Sequence, residues 1–137
     1  MGMVRSIAER YWEAEETRNM ASILAYYHQD AELVVPETGR LCGHHEIKTF
    51  YEASIRRFPI LKVEILTGFE DTEQGAFEWR AAFADHEGRT VILTGVNIIA
   101  TWKDKFKFVH VYYDPETLKN AASVGQAQGG QSIYGGQ

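Results

Sequence analysis

His110 and Asp114 stand four residues apart in a stretch where Phe106, Phe108, His110, Tyr112 and Asp114 share one parity and Lys107 takes the other. Residues two apart on an extended strand lie on one face of its sheet. This parity therefore turns His110, Tyr112 and Asp114 to the enclosed side, unless a bulge intervenes. An imidazole, with an ordinary pKa of about 6.5, suits proton shuttling near neutrality, and a carboxylate beside it can take a proton from carbon. The ordinary alternatives are a core histidine with its hydrogen bonds made and an aspartate that starts the Asp114-Pro115 turn.

Three phenols, Tyr11, Tyr27 and Tyr51, can donate hydrogen bonds to a developing negative charge or simply pack in the core. Trp79 alternates with Phe77, Ala81 and Phe83 and forms an aromatic wall that serves catalysis and binding equally. His28, His44 and His45 invite a metal reading, but adjacent histidines project apart on a helix and no acid is spaced to complete a triad. No metal is expected. Nor is there a nucleophile elbow, a phosphate loop or a dinucleotide fingerprint, so no cofactor is expected. Cys42 is the lone cysteine, which excludes an intrachain disulfide and reads as a small buried hydrophobe. Glu37 and Arg40 sit in a hairpin, where they either gate a pocket or form a solvated turn, the better reading.

The elements that must position these groups follow from periodicity. Val4, Ile7, Ala8, Tyr11 and Trp12 recur at helical spacing opposite Arg5, Glu9, Arg10, Glu13 and Glu16. Asn19 caps a short second helix with Met20, Ile23, Leu24 and Tyr27 as its buried stripe. Residues 31–35 and 40–42 form a hairpin around Pro36-Glu37-Thr38-Gly39, and a third helix runs from Gly43 until Pro59 stops it. Strands are then expected over 60–69, 76–84, 90–102 and 106–113. Helices followed by long hairpin-linked strands make an α+β domain, with the helices on one face of a strongly twisted antiparallel sheet.

A chain of 137 residues with 45% apolar and 24% charged residues can bury one core without staples. Its formal charge of −5, with no dense basic patch, argues against nucleic acid as a partner. The longest apolar stretch, 91–102, is too short for a membrane span, and the N-terminus is unlike a signal peptide. A cytoplasmic location is expected. Residues 1–120 read as one domain, and 121–137, rich in Gly and Gln and free of charge, as a disordered tail.

The order of these elements resembles the nuclear transport factor 2-like superfamily. The residues that carry the resemblance are Gln29-Asp30-Ala31-Glu32-Leu33, the Pro36 to Gly43 segment, and Tyr112-Tyr113-Asp114-Pro115 closing the last strand. It implies a cone-shaped curved antiparallel sheet wrapped around a long N-terminal helix and two shorter ones, a cystatin-like α+β barrel enclosing one small-molecule pocket. Similarity to ketosteroid isomerases puts Tyr11, Tyr27 and Tyr51 on a hydrogen-bonded chain that ends at an oxyanion hole. The two acids of those isomerases are replaced by Val35 and Ile98, which removes their mechanism. Similarity to SnoaL-like polyketide cyclases makes Asp114 the acid/base residue, with His110 where that family often has Trp.

The resemblance thus implies a cofactor-independent lyase or isomerase acting through an enolate on a small apolar carbonyl compound. Asp114, His110 and Tyr11 are its expected catalytic residues, and Tyr27, Tyr51, Trp79 and Tyr112 line the pocket. A non-catalytic ligand- or partner-binding domain of the same fold is the alternative, and a homodimer through the outer sheet face is expected of either.

Overall fold

The computed structural model of the chain describes residues 3–119. The first helix, α1 (Met3–Thr17), buries Val4, Ile7, Ala8, Tyr11, Trp12 and Ala14, a stripe at the spacing of one helix face. Its first turn is capped from far along the chain. The Glu70 carboxylate accepts from the backbone N–H groups of Val4 and Arg5, both at 3.1 Å. Arg18, at φ 56°, ends the helix in the left-handed region. The α2 helix (Met20–Leu24) starts at Asn19, whose side chain accepts from Ser22 N at 2.9 Å.

This second helix is shorter than expected, and Tyr27 opens a strand instead of closing the helix. The Phe106 N–H donates to Tyr26 O at 2.7 Å and draws the chain into the sheet at that point. The strands are β1 (Tyr27–Val35), β2 (Gly39–Cys42), β3 (Ile60–Glu70), β4 (Gln74–Ala84), β5 (Thr90–Trp102) and β6 (Lys105–Tyr113). Between β2 and β3 runs α3 (Gly43–Arg57), which is as long as α1. Gly43 enters it at φ 83°, which glycine adopts without strain. Cys42, expected to be buried, is exposed, because it sits just ahead of that turn.

The six strands form one sheet in the order β2-β1-β6-β5-β4-β3. Four of its pairings are antiparallel, but β1 pairs with β6 in parallel, so the sheet is mixed rather than antiparallel throughout. This brings the first and last strands together inside the sheet, as its second and third members. Bulges interrupt β3 between Ile65 and Thr67, and β6 between Phe106 and Phe108, and they bend the sheet around the helices. The α1 helix packs over β3 and reaches β4 and β5, while α3 packs over β1. The core lies between these helices and the concave face, as the cone fold requires. No helix among the described residues is long and apolar enough to cross a membrane. The tail at 121–137 lies outside the described residues.

Candidate active site

Helices and sheet do not meet completely. A cavity of about 290 Å³ remains between them, lined mainly by aliphatic and aromatic side chains such as Leu33, Val35, Phe50, Leu61, Trp79 and Leu93. A pocket of this character, with few and placed polar groups, is the usual form of a small-molecule site. A helical turn at 115–119 adds Leu118 to the lining, and Arg57 Nη2 donates to its carbonyl at 3.2 Å.

The polar groups on the helical side form one connected network. Tyr11 donates to Glu15 Oε2 at 2.5 Å, the Tyr51 hydroxyl bonds that of Tyr11, and Tyr27 bonds Tyr51 at 2.7 Å. An ionised carboxylate only accepts, so the hydroxyl protons align from Tyr27 through Tyr51 and Tyr11 towards Glu15. Burial pushes all three phenols above the ordinary tyrosine range and keeps them protonated donors. Burial also lifts the Glu15 carboxyl above the ordinary carboxylate range, against the opposing pull of Tyr11 and then of Arg18. The Arg18 guanidinium stands 3.4 Å from Glu15 Oε1 and is held by Phe58 O and Ser54 Oγ, each at 3.1 Å.

On the sheet side, Trp79 Nε1–H donates to Asn97 Oδ1 at 2.9 Å, and both residues line the cavity. The indole packs against Gly95, its register partner, where a Cβ would come within 2.5 Å of the ring. At another part of the lining the Tyr113 hydroxyl donates to Glu37. The hairpin turn therefore reaches the cavity through Glu37, while Arg40 pairs with Glu32 away from it.

Of the residues expected here, Tyr11, Tyr51 and Trp79 line the cavity. Tyr27 stands behind Tyr51, buried but outside the lining, which corrects its expected contact with ligand. The β6 residues need a larger correction. The bulge at Lys107 shifts the parity, so Phe106, Val109, Val111 and Tyr113 face inward. His110, Tyr112 and Asp114 are thereby turned from the enclosed side. Tyr112 is 55% exposed, and His110 bonds Glu32 Oε1 at 2.9 Å, outside the cavity. Asp114 is exposed and accepts from Glu116 N at 3.0 Å, as a turn-starting aspartate does. Among the described residues no cluster of His, Cys, Asp or Glu could hold a metal ion.

Glu15 and Asn97, which carry polar groups of the cavity, went unread in the sequence. Glu15 follows Tyr11 by one helical turn and so shares its face, a signal present in the periodicity that defined the helix. Asn97 is the polar member of the inward series Val91, Leu93, Gly95, Asn97, Ile99 on β5. Its neighbour Ile98, matched to an isomerase acid, points outward and is 38% exposed.

This geometry coincides with a family match. The model of the SnoaL-like domain matches residues 8–111, from α1 to the inward end of β6. The chain belongs to the SnoaL-like domain family. This SnoaL-like domain also shares its fold with many solved structures. A putative SnoaL-like polyketide cyclase from Jannaschia sp. CCS1 superposes with a TM-score of 0.77 at 11% identity, covering 88% of this chain and 92% of the other. TerC, co-crystallised with polyporic acid, gives 0.75 at 18% identity over 86% and 96%. An epoxide hydrolase of the LEH-like type from M. tuberculosis gives 0.73 at 14% identity over 89% and 90%. No curated protein sequence matches the chain. The fold is thus shared by proteins described as a putative cyclase and as an epoxide hydrolase, and it does not by itself select a function.

Proposed function

We propose that this SnoaL-like domain is a cofactor-independent lyase or isomerase that removes a proton alpha to the carbonyl of a small, largely apolar compound, with Glu15 as its base. The observation that carries the reading is a carboxylate at the cavity wall, lifted by burial and connected to a chain of three tyrosines. Such a base is poised nearer neutrality than a solvated glutamate. The carbon–hydrogen electrons pass to the carbonyl oxygen as the proton passes to Glu15. Protonated Glu15 no longer needs the Tyr11 hydrogen, which is then free to turn to the enolate oxygen. Return of the proton to another carbon completes an isomerisation; departure of a beta substituent completes an elimination. The fold shared with a putative polyketide cyclase is compatible with this class of chemistry, and TerC, of the same fold, was co-crystallised with the small molecule polyporic acid.

A non-catalytic binding domain is the second reading, favoured by Val35 on the cavity wall at the position of the isomerase base. Deuterium exchange at C2 of the bicyclic ketone 1-tetralone in D2O, followed by NMR, separates the two. Exchange above buffer that disappears in Glu15→Gln supports the enzyme; ketone binding without exchange supports the binding domain.

A homodimer through the outer sheet face belongs to the same proposal, supported by Ile98 and Tyr112 exposed on neighbouring strands. Sedimentation showing only monomer contradicts it. A cytoplasmic location is also proposed, since a sequence with the single cysteine Cys42 needs no oxidising compartment. A fluorescent fusion found outside the cytoplasm contradicts that.

A further inference from the structure

The Trp79–Asn97 pair leaves one polar group of the sheet wall unused. An indole N–H can only donate, so the atom of the Asn97 amide that faces it is the oxygen, and the NH2 points the other way. Asn97 is only 4% exposed and lines the cavity. Its NH2 has no hydrogen-bond partner among the described residues, yet no side-chain nitrogen or oxygen sealed from solvent lacks one there. The amide nitrogen is therefore open to the cavity, on the strand position paired with Val111 of β6, which also lines it.

From this we infer that Asn97 is a specificity-determining residue whose amide N–H donates to the carbonyl oxygen of a neutral, otherwise apolar ligand. The inference rests on the proposed carbonyl substrate and names the group that selects it. A donor fixed in an apolar wall loses its water when a ligand enters. A ligand oxygen replaces that water; a hydrocarbon leaves the donor bare, and its binding suffers. On the lining the two carboxylates, Glu15 and Glu37, outnumber the one guanidinium, Arg57, which favours neutral ketones and quinone-like compounds over anions. Trp79 acts here as a positioning residue, since its N–H holds the amide in one orientation. Gly95 positions the indole in turn by letting it lie against the β5 backbone.

The probes are 1-tetralone and tetralin, which share one bicyclic frame and differ by the carbonyl oxygen. Calorimetric titration of the wild-type protein is expected to favour tetralone by at least about tenfold. In Asn97→Leu, which has nearly the same shape, the donor is removed, so the preference is expected to vanish while the thermal melt stays cooperative. Asn97→Ser serves as a second variant, which shortens the donor out of reach and is expected to reduce the preference. Equal binding of the two probes by wild type, binding of neither, or a preference retained in both variants overturns the inference. Glu15→Gln is expected to keep the tetralone preference. Loss of exchange in that variant with the preference intact, or no exchange in wild type despite the preference, bears on Glu15 alone.

Discussion

The Tyr11 hydroxyl donates to the Glu15 carboxylate at 2.5 Å across one turn of α1, and the Tyr51 hydroxyl reaches Tyr11 from α3. One helix thus supplies both the carboxylate and its nearest donor, while a second helix and the start of β1 extend the chain through Tyr51 and Tyr27. The proton-accepting end of the network is at the cavity and its far end is in the core.

Glu15→Gln is isosteric and keeps an acceptor for Tyr11, so it tests the charge without emptying the site. If Glu15 is the base, exchange of the tetralone C2 proton falls at least about 100-fold in the variant. NMR exchange rates check this against a thermal melt showing that the fold is intact.

The pH dependence of stability has a definite sign. A carboxyl whose pKa is raised on folding stabilises the fold in its protonated form. That contribution is complete below the ordinary glutamate value of about 4.3 and is lost as pH rises through the raised value. Urea denaturation from pH 4 to 8 is therefore expected to show wild type losing stability relative to Glu15→Gln as pH increases. Catalysed exchange should rise over the same interval, because the base works ionised.

Tyr51 occupies the middle of the chain and Tyr27 its end. Tyr51→Phe removes the donor to Tyr11 and the acceptor of Tyr27, leaving a buried hydroxyl bare at a cost of about 1–3 kcal/mol. Tyr27→Phe removes one terminal hydroxyl and is expected to cost less. Equal costs in urea denaturation would contradict a directional chain.

Gly95 is where the Trp79 ring meets the β5 backbone. A methyl group there would lie 2.5 Å from the ring and from Tyr112 O, so the strand or the indole must shift. Gly95→Ala is expected to cost about 1–3 kcal/mol by overpacking. It should also weaken tetralone binding, measured by calorimetry, because the ring that holds Asn97 moves.

Asp114→Asn keeps the acceptor for Glu116 N and removes only the charge. Exchange rates are expected to stay within about twofold of wild type, and stability within about 0.5 kcal/mol. A collapse of exchange in this variant would return the base to the end of β6.

Much of this protein was legible in local periodicity. The helical stripe Val4 to Trp12, the cap at Asn19, the stop at Pro59 and the four late strands all follow from spacing that neighbouring residues impose on one another. The three tyrosines were legible as candidates from the resemblance, and two of them, Tyr11 and Tyr51, line the cavity. Glu15 was legible too, on the face of Tyr11, but a carboxylate in a helix is indistinguishable from a solvated one until its partners are known.

Tertiary structure alone decided which acid faces the cavity. The inward or outward direction of His110, Tyr112 and Asp114 depends on one extra residue at Lys107. A bulge is a property of two paired strands, and the sequence of one strand does not contain it. The same holds for the parallel pairing of β1 with β6, which joins segments from the two ends of the domain. It holds for Asn97, whose free N–H is defined by an indole on another strand. Sequence determined the elements and the fold through short-range pattern; the polar groups of the cavity were set by registers and hydrogen bonds between residues far apart in the chain.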